Sequence, residues 1–229
     1  MAPSRILLSL ISFFWFPLCG FADLIDDGIV IYSKGKWGNN QFEFKTSHRG
    51  TQVRMDMQTQ EPVTYLFDFA TESAFKLLPT PTSKGCEEVS WSALTSALGG
   101  LKGKVPALVK TGKNETIIGY PAEQYVMVKD NGSISEFWLT QAIQLSPNVL
   151  RAINAYTRKF APKDLHDLAE QGYFELKKVQ RKADGAVWMM REVIRIEGVN
   201  LRDEVFEIPA DCERIKKRKV EMNKELIAP

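Results

Sequence analysis

The sequence predicts an α+β fold in which one curved antiparallel sheet, an incomplete β-barrel, carries two or three helices packed as a lid. About ten short segments alternate apolar and polar residues with the period of two that a strand requires. Short polar turns join these segments in hairpin order. Apolar residues recur at helical spacing in only two or three places, so an alternating parallel α/β fold is disfavoured.

The first strands form a predicted antiparallel meander between residues 29 and 79. Every second residue is apolar in 41–45 and in 52–58, so one face of these strands is exposed to solvent and the other is covered. The strand at 63–69 has an unusually aromatic covered side. Polar turns are predicted at 34–40, 47–51 and 58–61.

A first helix is predicted to begin at Ser90, a good N-cap residue, and to end before the Gly99-Gly100 pair. After a loop at 102–113, strands are predicted at 116–118, 120–129 and 134–140, with a hairpin turn at 130–132.

Ser146-Pro147 predicts the start of a second helix, which ends at Ala161-Pro162, and a short third helix ends at Gly172. The last strands are predicted at 173–181, 187–197 and 200–208, before a basic, helix-prone tail from Cys212.

The N-terminus has the order of a cleavable secretory signal at residues 1–22. Arg5 precedes an apolar run of 13 residues at 6–18, and small residues around Ala22 follow. We expect cleavage after Ala22 and a mature protein that is periplasmic or secreted.

Two alternatives to a cleaved signal are weaker. A membrane-spanning helix needs about 20 apolar residues, and Pro17 interrupts the run. Lipid attachment at Cys19 would require small residues before it, but 16–18 are Phe, Pro and Leu.

Asn114 and Asn131 begin Asn-x-Ser/Thr patterns, which would accept glycans if the source is eukaryotic.

Composition predicts one domain, at 23–211, and disfavours a nucleic-acid partner. The chain has 229 residues with 30 Lys and Arg against 28 Asp and Glu, and the signal contains only one of these charges. A net charge near zero is not typical of a nucleic-acid binder. The basic C-terminal tail at 212–229 could contact a membrane surface peripherally through 216–219, at about 1 kcal/mol per charge, or remain solvated.

Cys86 and Cys212 are the cysteines left after removal of the signal. In an oxidising compartment an even pair predicts a disulfide bond. The enclosed loop would exceed 100 residues, for which loop entropy allows about 4 to 5 kcal/mol. Two buried free thiols are the alternative.

No pattern typical of a catalytic or metal site is present in the sequence. His48 and His166 belong to no Cys/His cluster and are predicted at the surface, so no metal is expected. A Gly-x-Ser-x-Gly elbow is absent, and the glycines of 99–104 do not have the spacing of a phosphate loop. We therefore expect a protein that is not an enzyme and uses no cofactor. An enzyme whose catalytic groups are distant in sequence is the remaining alternative.

Several motifs resemble a family of secreted bacterial proteins, defined as a domain of unknown function, that is similar to the periplasmic lipoprotein carriers. They are Arg-Met-Asp-Met at 54–57, Tyr-Leu-Phe-Asp-Phe at 65–69, the segment 115–125 around Gly119-Tyr120, Glu-Phe-Trp-Leu-Thr at 136–140 and Val-Phe-Glu-Ile-Pro at 205–209. The resemblance implies an unclosed antiparallel barrel whose concave face, roofed by helices, holds acyl chains or another apolar partner. It implies no catalytic residues.

The apolar strand faces are the strongest candidate site. Aromatic rings and adaptable methionines suit a hydrophobic cavity, although the packing of a solid core would give the same pattern. The candidate ligand-lining residues are Phe42, Phe44, Met55, Met57, Tyr65, Phe67, Met127, Trp138, Trp188 and Met190. We expect a binding or carrier protein for a lipid or a lipoprotein acyl chain. The alternative is a cell-envelope interaction domain with a solid core and a protein partner.

Overall fold

The computed structural model describes residues 27–59, 61–79, 84–92, 94 and 106–214. The strands of the described part form a single sheet and are β1 (Gly28–Trp37), β2 (Asn40–Arg49), β3 (Gln52–Gln58), β4 (Val63–Asp68), β5 (Ser73–Pro79), β6 (Lys84–Glu88), β7 (Val109–Ile117), β8 (Tyr120–Val128), β9 (Ile134–Thr140), β10 (Phe174–Arg181), β11 (Val187–Val199) and β12 (Cys212–Arg214). Two helices are described over their full length, α1 (Pro147–Phe160) and α2 (Lys163–Glu170).

The sheet is open and curved, which confirms the predicted α+β class and the incomplete barrel. Its strand order is β12-β6-β5-β4-β3-β2-β1-β11-β10-β9-β8-β7, so β12 and β7 form the two edges. Strands β1 and β11 join the two meanders at the centre. Neighbouring strands are antiparallel except for β12 and β6, which pair in parallel.

Helix α1 begins and ends where the sequence predicts. The Ser146 hydroxyl accepts a hydrogen bond from the backbone N–H of Val149 at 3.3 Å, and Pro147 occupies the first turn, where its missing N–H costs nothing. The helix ends at Phe160 because the following Ala161-Pro162 pair leaves the helical conformation.

Both helices pack against one face of the sheet, which we call the helix side. Val149 and Ile153 of α1 share a buried cluster with Ile29 and Ile31 of β1. Leu165 of α2 joins a second cluster with residues of β8 and β9. No helix within the described ranges has the length and apolar character needed to cross a membrane.

The opposite face, which we call the outer side, is covered by segment 200–211, and this segment is not the predicted strand at 200–208. It contains one turn of 3-10 helix at Asp203–Val205. Its Leu201 and Phe206 belong to one buried cluster with Val30, which a regular strand of alternating faces would not allow. Its carbonyl oxygens accept hydrogen bonds from arginine side chains instead of a neighbouring strand.

Several strand boundaries also differ from prediction. Strand β1 continues to Trp37 because the turn consists only of Gly38 and Asn39, with Gly38 at φ +57°. Strands β6 and β12 were not predicted, and β7 begins inside the predicted loop at 102–113. All three lie at or near the sheet edges, where neither face needs to be apolar.

Some predictions fall wholly or partly outside the described residues. Trp91, Ser92 and Leu94 have helical backbone, but the rest of the predicted first helix is not described. The signal at 1–22 and the basic run at 216–219 are not described either. Strand β12 belongs to the sheet, so the sheet extends three residues past the boundary predicted at 211.

Candidate functional site

A row of half-buried apolar side chains lies on the helix side of β2, β3 and β4. Strand register puts Phe44 opposite Met57 and Met57 opposite Val63, and Phe42 and Tyr65 alternate into the same face. Each of the five is only partly covered. We call these residues, Phe42, Phe44, Met57, Val63 and Tyr65, the apolar strip.

Gly35 allows the strip to extend to the centre of the sheet. The Phe42 ring lies over Gly35, and a Cβ at position 35 would collide with that ring and with the backbone oxygen of Met190. Phe42 then stacks on Phe44 with ring centroids 5.0 Å apart. A glycine is therefore needed here for close approach.

Next to the strip, the same face is tightly packed by aromatic rings. Phe67 is 3% exposed, and its ring centroid lies 5.7 Å from Phe160, 6.0 Å from Trp91 and 6.3 Å from Tyr156. Phe69 contacts the same three rings. This aromatic cluster (Phe67, Phe69, Trp91, Tyr156, Phe160) is a solid core, so the helix side divides into a packed part and a partly open strip.

Three charged side chains lie beside the strip on the helix side. Strand register places Arg191 between Gly35 and Lys178, and Arg191 pairs with the Glu175 carboxylate. The Arg191 Cζ lies 5.8 Å from the Phe44 ring, and the Lys178 Nζ lies 5.5 Å from the Phe137 ring. We call Glu175, Lys178 and Arg191 the charged cluster. Burial lowers the pKa of Lys178, the Glu175 carboxylate opposes this shift, and the positive charges of Arg191 and Lys129 add to it.

His48 lies deeper on the same face and is 6% exposed, so the prediction that it is a surface residue is wrong. Its ring packs edge-on against Tyr156 of α1 at 6.2 Å, and its Nδ1 finds no hydrogen-bond partner within the described structure. Burial lowers the pKa of His48 to about 4, and the positive charge of Arg191 adds to the shift. His166, also predicted at the surface, contacts Thr157 and Glu170 and its side chain is 13% exposed.

The lowered pKa of His48 predicts a loss of stability in mild acid. Between the folded value of about 4 and the ordinary value of 6.5, the unfolded chain binds more protons, so the free energy of unfolding falls as the pH drops. From pH 7.5 to pH 5 this group should contribute a loss of about 2 kcal/mol.

Urea denaturation of wild type and His48→Phe at both pH values measures that contribution. We expect the variant to lose about 2 kcal/mol less than wild type over the interval, because phenylalanine has no proton to bind. Equal losses in the two proteins would contradict the assignment. The comparison uses differences within each protein, so any change in packing caused by the new ring cancels.

The ten predicted ligand-lining residues do not all share one surface. Phe42, Phe44, Met57 and Tyr65 belong to the strip, whereas Met55 and Phe67 are buried on the same face. Met127 is fully buried beneath α2. Trp138 lies on the other side of β9 from Phe137. Met190 faces Lys36 on the outer side. Trp188 packs edge-on against Trp37.

Sequence patterning missed the charged cluster. Its members come from β10 and β11 and face the same side only because of irregular strand register near Glu175 and Val193. A signal was present in the sequence only for Arg191, which directly follows the apolar run 187–190, whereas the strand around Lys178 also contains Lys177 and Arg181. The predicted disulfide is present, because Cys86 and Cys212 are bonded with their Cα atoms 5.7 Å apart.

Comparison with known proteins identifies a family and a fold. The model of a family described as "Domain of unknown function (DUF4412)" matches residues 33–212. No curated protein matches the sequence. The fold is similar to the crystal structure of an uncharacterized conserved protein from Thermus thermophilus, with a TM-score of 0.54 and 10% identity over 84% of this chain and 91% of that chain.

Two further solved structures are more distantly similar. The complex of MucA and MucB from Pseudomonas aeruginosa gives a TM-score of 0.41 at 11% identity, over 83% of this chain and 58% of that one. A putative outer membrane lipoprotein-sorting protein domain from Vibrio parahaemolyticus gives 0.37 at 10% identity, over 80% of this chain and 91% of that one. The predicted resemblance to a domain of unknown function is confirmed. The chain belongs to the DUF4412 family.

Proposed function

We propose that the protein is an exported, non-catalytic binding or carrier protein that shelters an acyl chain or another apolar ligand on the helix side of its curved sheet. The observation that carries this proposal is the apolar strip, which remains half-exposed beside a core that is otherwise closed by aromatic rings. Stacked phenylalanines that remain partly exposed are typical of a surface that binds a ligand or a partner.

Burial of apolar area would supply the affinity. Each methylene that leaves water is worth about 0.8 kcal/mol, so ten methylenes laid along the strip give roughly 8 kcal/mol before the entropic cost of association. Met57 can adapt to chains of different shape, because its side chain is unbranched and polarizable. Neither the burial of methylenes nor the adaptability of Met57 requires a covalent step.

Two observations support a location outside the cytoplasm. The first is the signal pattern at residues 1–22, which predicts export. The second is the bond between Cys86 and Cys212, since disulfides persist mainly in oxidising compartments such as the periplasm.

The test is native mass spectrometry of the protein purified from the periplasm, followed by solvent extraction and by titration with a fluorescent fatty acid. We expect a bound apolar molecule in the purified protein and saturable uptake of the probe. Phe44→Ser should weaken uptake about tenfold or more, because it removes apolar contact area from the centre of the strip.

Lys45→Ser is the matched control, since Lys45 is the next residue along β2 and its exposed side chain points to the outer side. Its uptake should stay within twofold of wild type. A bare chain that takes up no probe would rule out the carrier function.

A second candidate, an envelope interaction domain with a solid core, is favoured by the edge strand β7. Most of β7 is exposed, and Val109 is 56% exposed. A partner segment could add to this edge as a further strand, with backbone hydrogen bonds providing affinity. Lys110 and Lys113 are typical of edges protected against nonspecific pairing. A bare chain in the test above would favour this candidate.

A further inference from the structure

The charged cluster and the apolar strip form one continuous surface on the helix side. Strand register gives the order Lys178, Arg191, Gly35 and Phe42 across four neighbouring strands. Because Gly35 has no side chain, nothing on β1 separates Arg191 from the two phenylalanines. The Arg191 guanidinium therefore lies at one end of the strip, 5.8 Å from the Phe44 ring.

This surface carries a net positive charge. Arg191 pairs with Glu175, Lys178 forms no ion pair within the described residues, and Lys129 adds a further positive charge that acts on Lys178. Its Nζ faces the Phe137 ring at 5.5 Å, which offers a cation–π contact but no counter-charge. Buried cations in excess of the neighbouring carboxylates are costly, and a bound anion would reduce that cost.

The charged cluster is partly accessible to solvent. The Arg191 and Glu175 side chains are 29% and 23% exposed. A guanidinium has five donors, of which the Glu175 bond uses one, so Arg191 can also bind a carboxylate through two parallel hydrogen bonds. A carboxylate needs far less room than a phospholipid head group.

We propose that the ligand is a long-chain fatty acid anion whose carboxylate pairs with Arg191 and Lys178 while its acyl chain lies along the apolar strip. This inference rests on the proposed function and names its ligand class. The net positive charge of this surface matches an anionic head group. From that position the first methylenes contact Phe44, and the chain continues across Met57 toward Val63.

The test measures the preference of the full mature protein for an acid over its ester. The probes are 11-(dansylamino)undecanoic acid and its methyl ester, which share the chain and differ in head-group charge. We expect wild type to bind the acid at least tenfold more tightly than the ester. Lys178→Met should bring the two affinities within twofold of each other by weakening the acid alone. Because Glu175 stays paired with Arg191, this variant leaves no carboxylate of the charged cluster without a partner.

Two control variants separate head-group recognition from general charge. Arg195→Met removes one positive charge from the outer side of β11, where Arg195 faces Tyr32, and should keep the tenfold preference. Lys178→Arg retains the charge and should keep the preference as well. Loss of the preference in Arg195→Met would overturn the assignment.

The outcomes distinguish this inference from the proposed function. Equal binding of acid and ester by wild type would overturn the head-group assignment while leaving the carrier function standing. Displacement of the probe by dioleoylphosphatidylglycerol at lower concentrations than by oleate would overturn the choice of a single-chain acid. Failure of wild type to bind either probe would overturn both proposals.

Discussion

Replacing Phe67 by alanine is expected to lower the free energy of unfolding by about 3 to 5 kcal/mol. Phe67 is 3% exposed, and its ring contacts include those of Trp91, Tyr156 and Phe160. Its removal leaves a cavity between the sheet and α1 that surrounding rings cannot fill without leaving their preferred rotamers. Urea denaturation at pH 7.5, fitted with a common m-value, measures the change.

Phe42→Ala is the matched comparison, since it removes the same atoms from the same face. Phe42 is only half-buried, so its replacement should cost about 1 to 2 kcal/mol. The two results together test the division of the helix side into a packed core and an open strip. If both variants lose the same stability, the strip is part of the core, and the structural basis of the carrier function disappears.

The central part of this fold could be predicted from the sequence because its signals are local. In β2, β3 and β4 the alternation of apolar and polar residues fixes which side chains are covered, whatever the rest of the chain does. Ser146 and Pro147 likewise determine the start of α1 through interactions within one turn. The apolar strip follows from the same alternation.

Segment 200–208 was predicted wrongly because its conformation depends on distant residues. Leu201 and Phe206 are apolar, but they are an odd number of residues apart and would lie on opposite faces of a strand. What holds the segment is the Arg49 and Arg54 side chains, which donate to carbonyl oxygens 152 and 151 residues away. Sequence periodicity contains no information about such contacts.

The faces of β11 were assigned wrongly for a different reason. Alternation counted back from Ile196 puts Met190 and Trp188 on the helix side. The register shifts by one residue between Arg195 and Val193, and this bulge turns Arg191 and Met189 to that side instead. An extra residue in a strand reverses every side chain beyond it. The charged cluster is a product of this reversal and could not be predicted from the pattern alone.

Removal of the disulfide is the other change with a large expected effect. Cys86 and Cys212 are 126 residues apart in sequence, and loop entropy sets the cost of losing their bond at about 5 kcal/mol at most. The bond also fastens β12, a strand of three residues, to β6 at the edge of the sheet. Without it, so short a strand has little to hold it in place, and segment 200–211 becomes free to leave the outer side.

Cys86→Ala/Cys212→Ala should therefore lower the free energy of unfolding by several kcal/mol, up to about 5, and increase hydrogen exchange in 201–214 before other regions. The single variant Cys86→Ala should lose nearly as much, since either substitution abolishes the bond. Electrophoretic mobility should change on reduction in wild type and stay constant in both variants. If the denaturation midpoints of oxidised wild type and the double variant coincide, the disulfide bond does not restrict the unfolded chain.

Fatty-acid binding should survive in the double variant when it is measured well below the melting temperature, because the apolar strip lies on the other face of the sheet. This result would separate the stabilising role of the C-terminal segment from the binding role of the helix side.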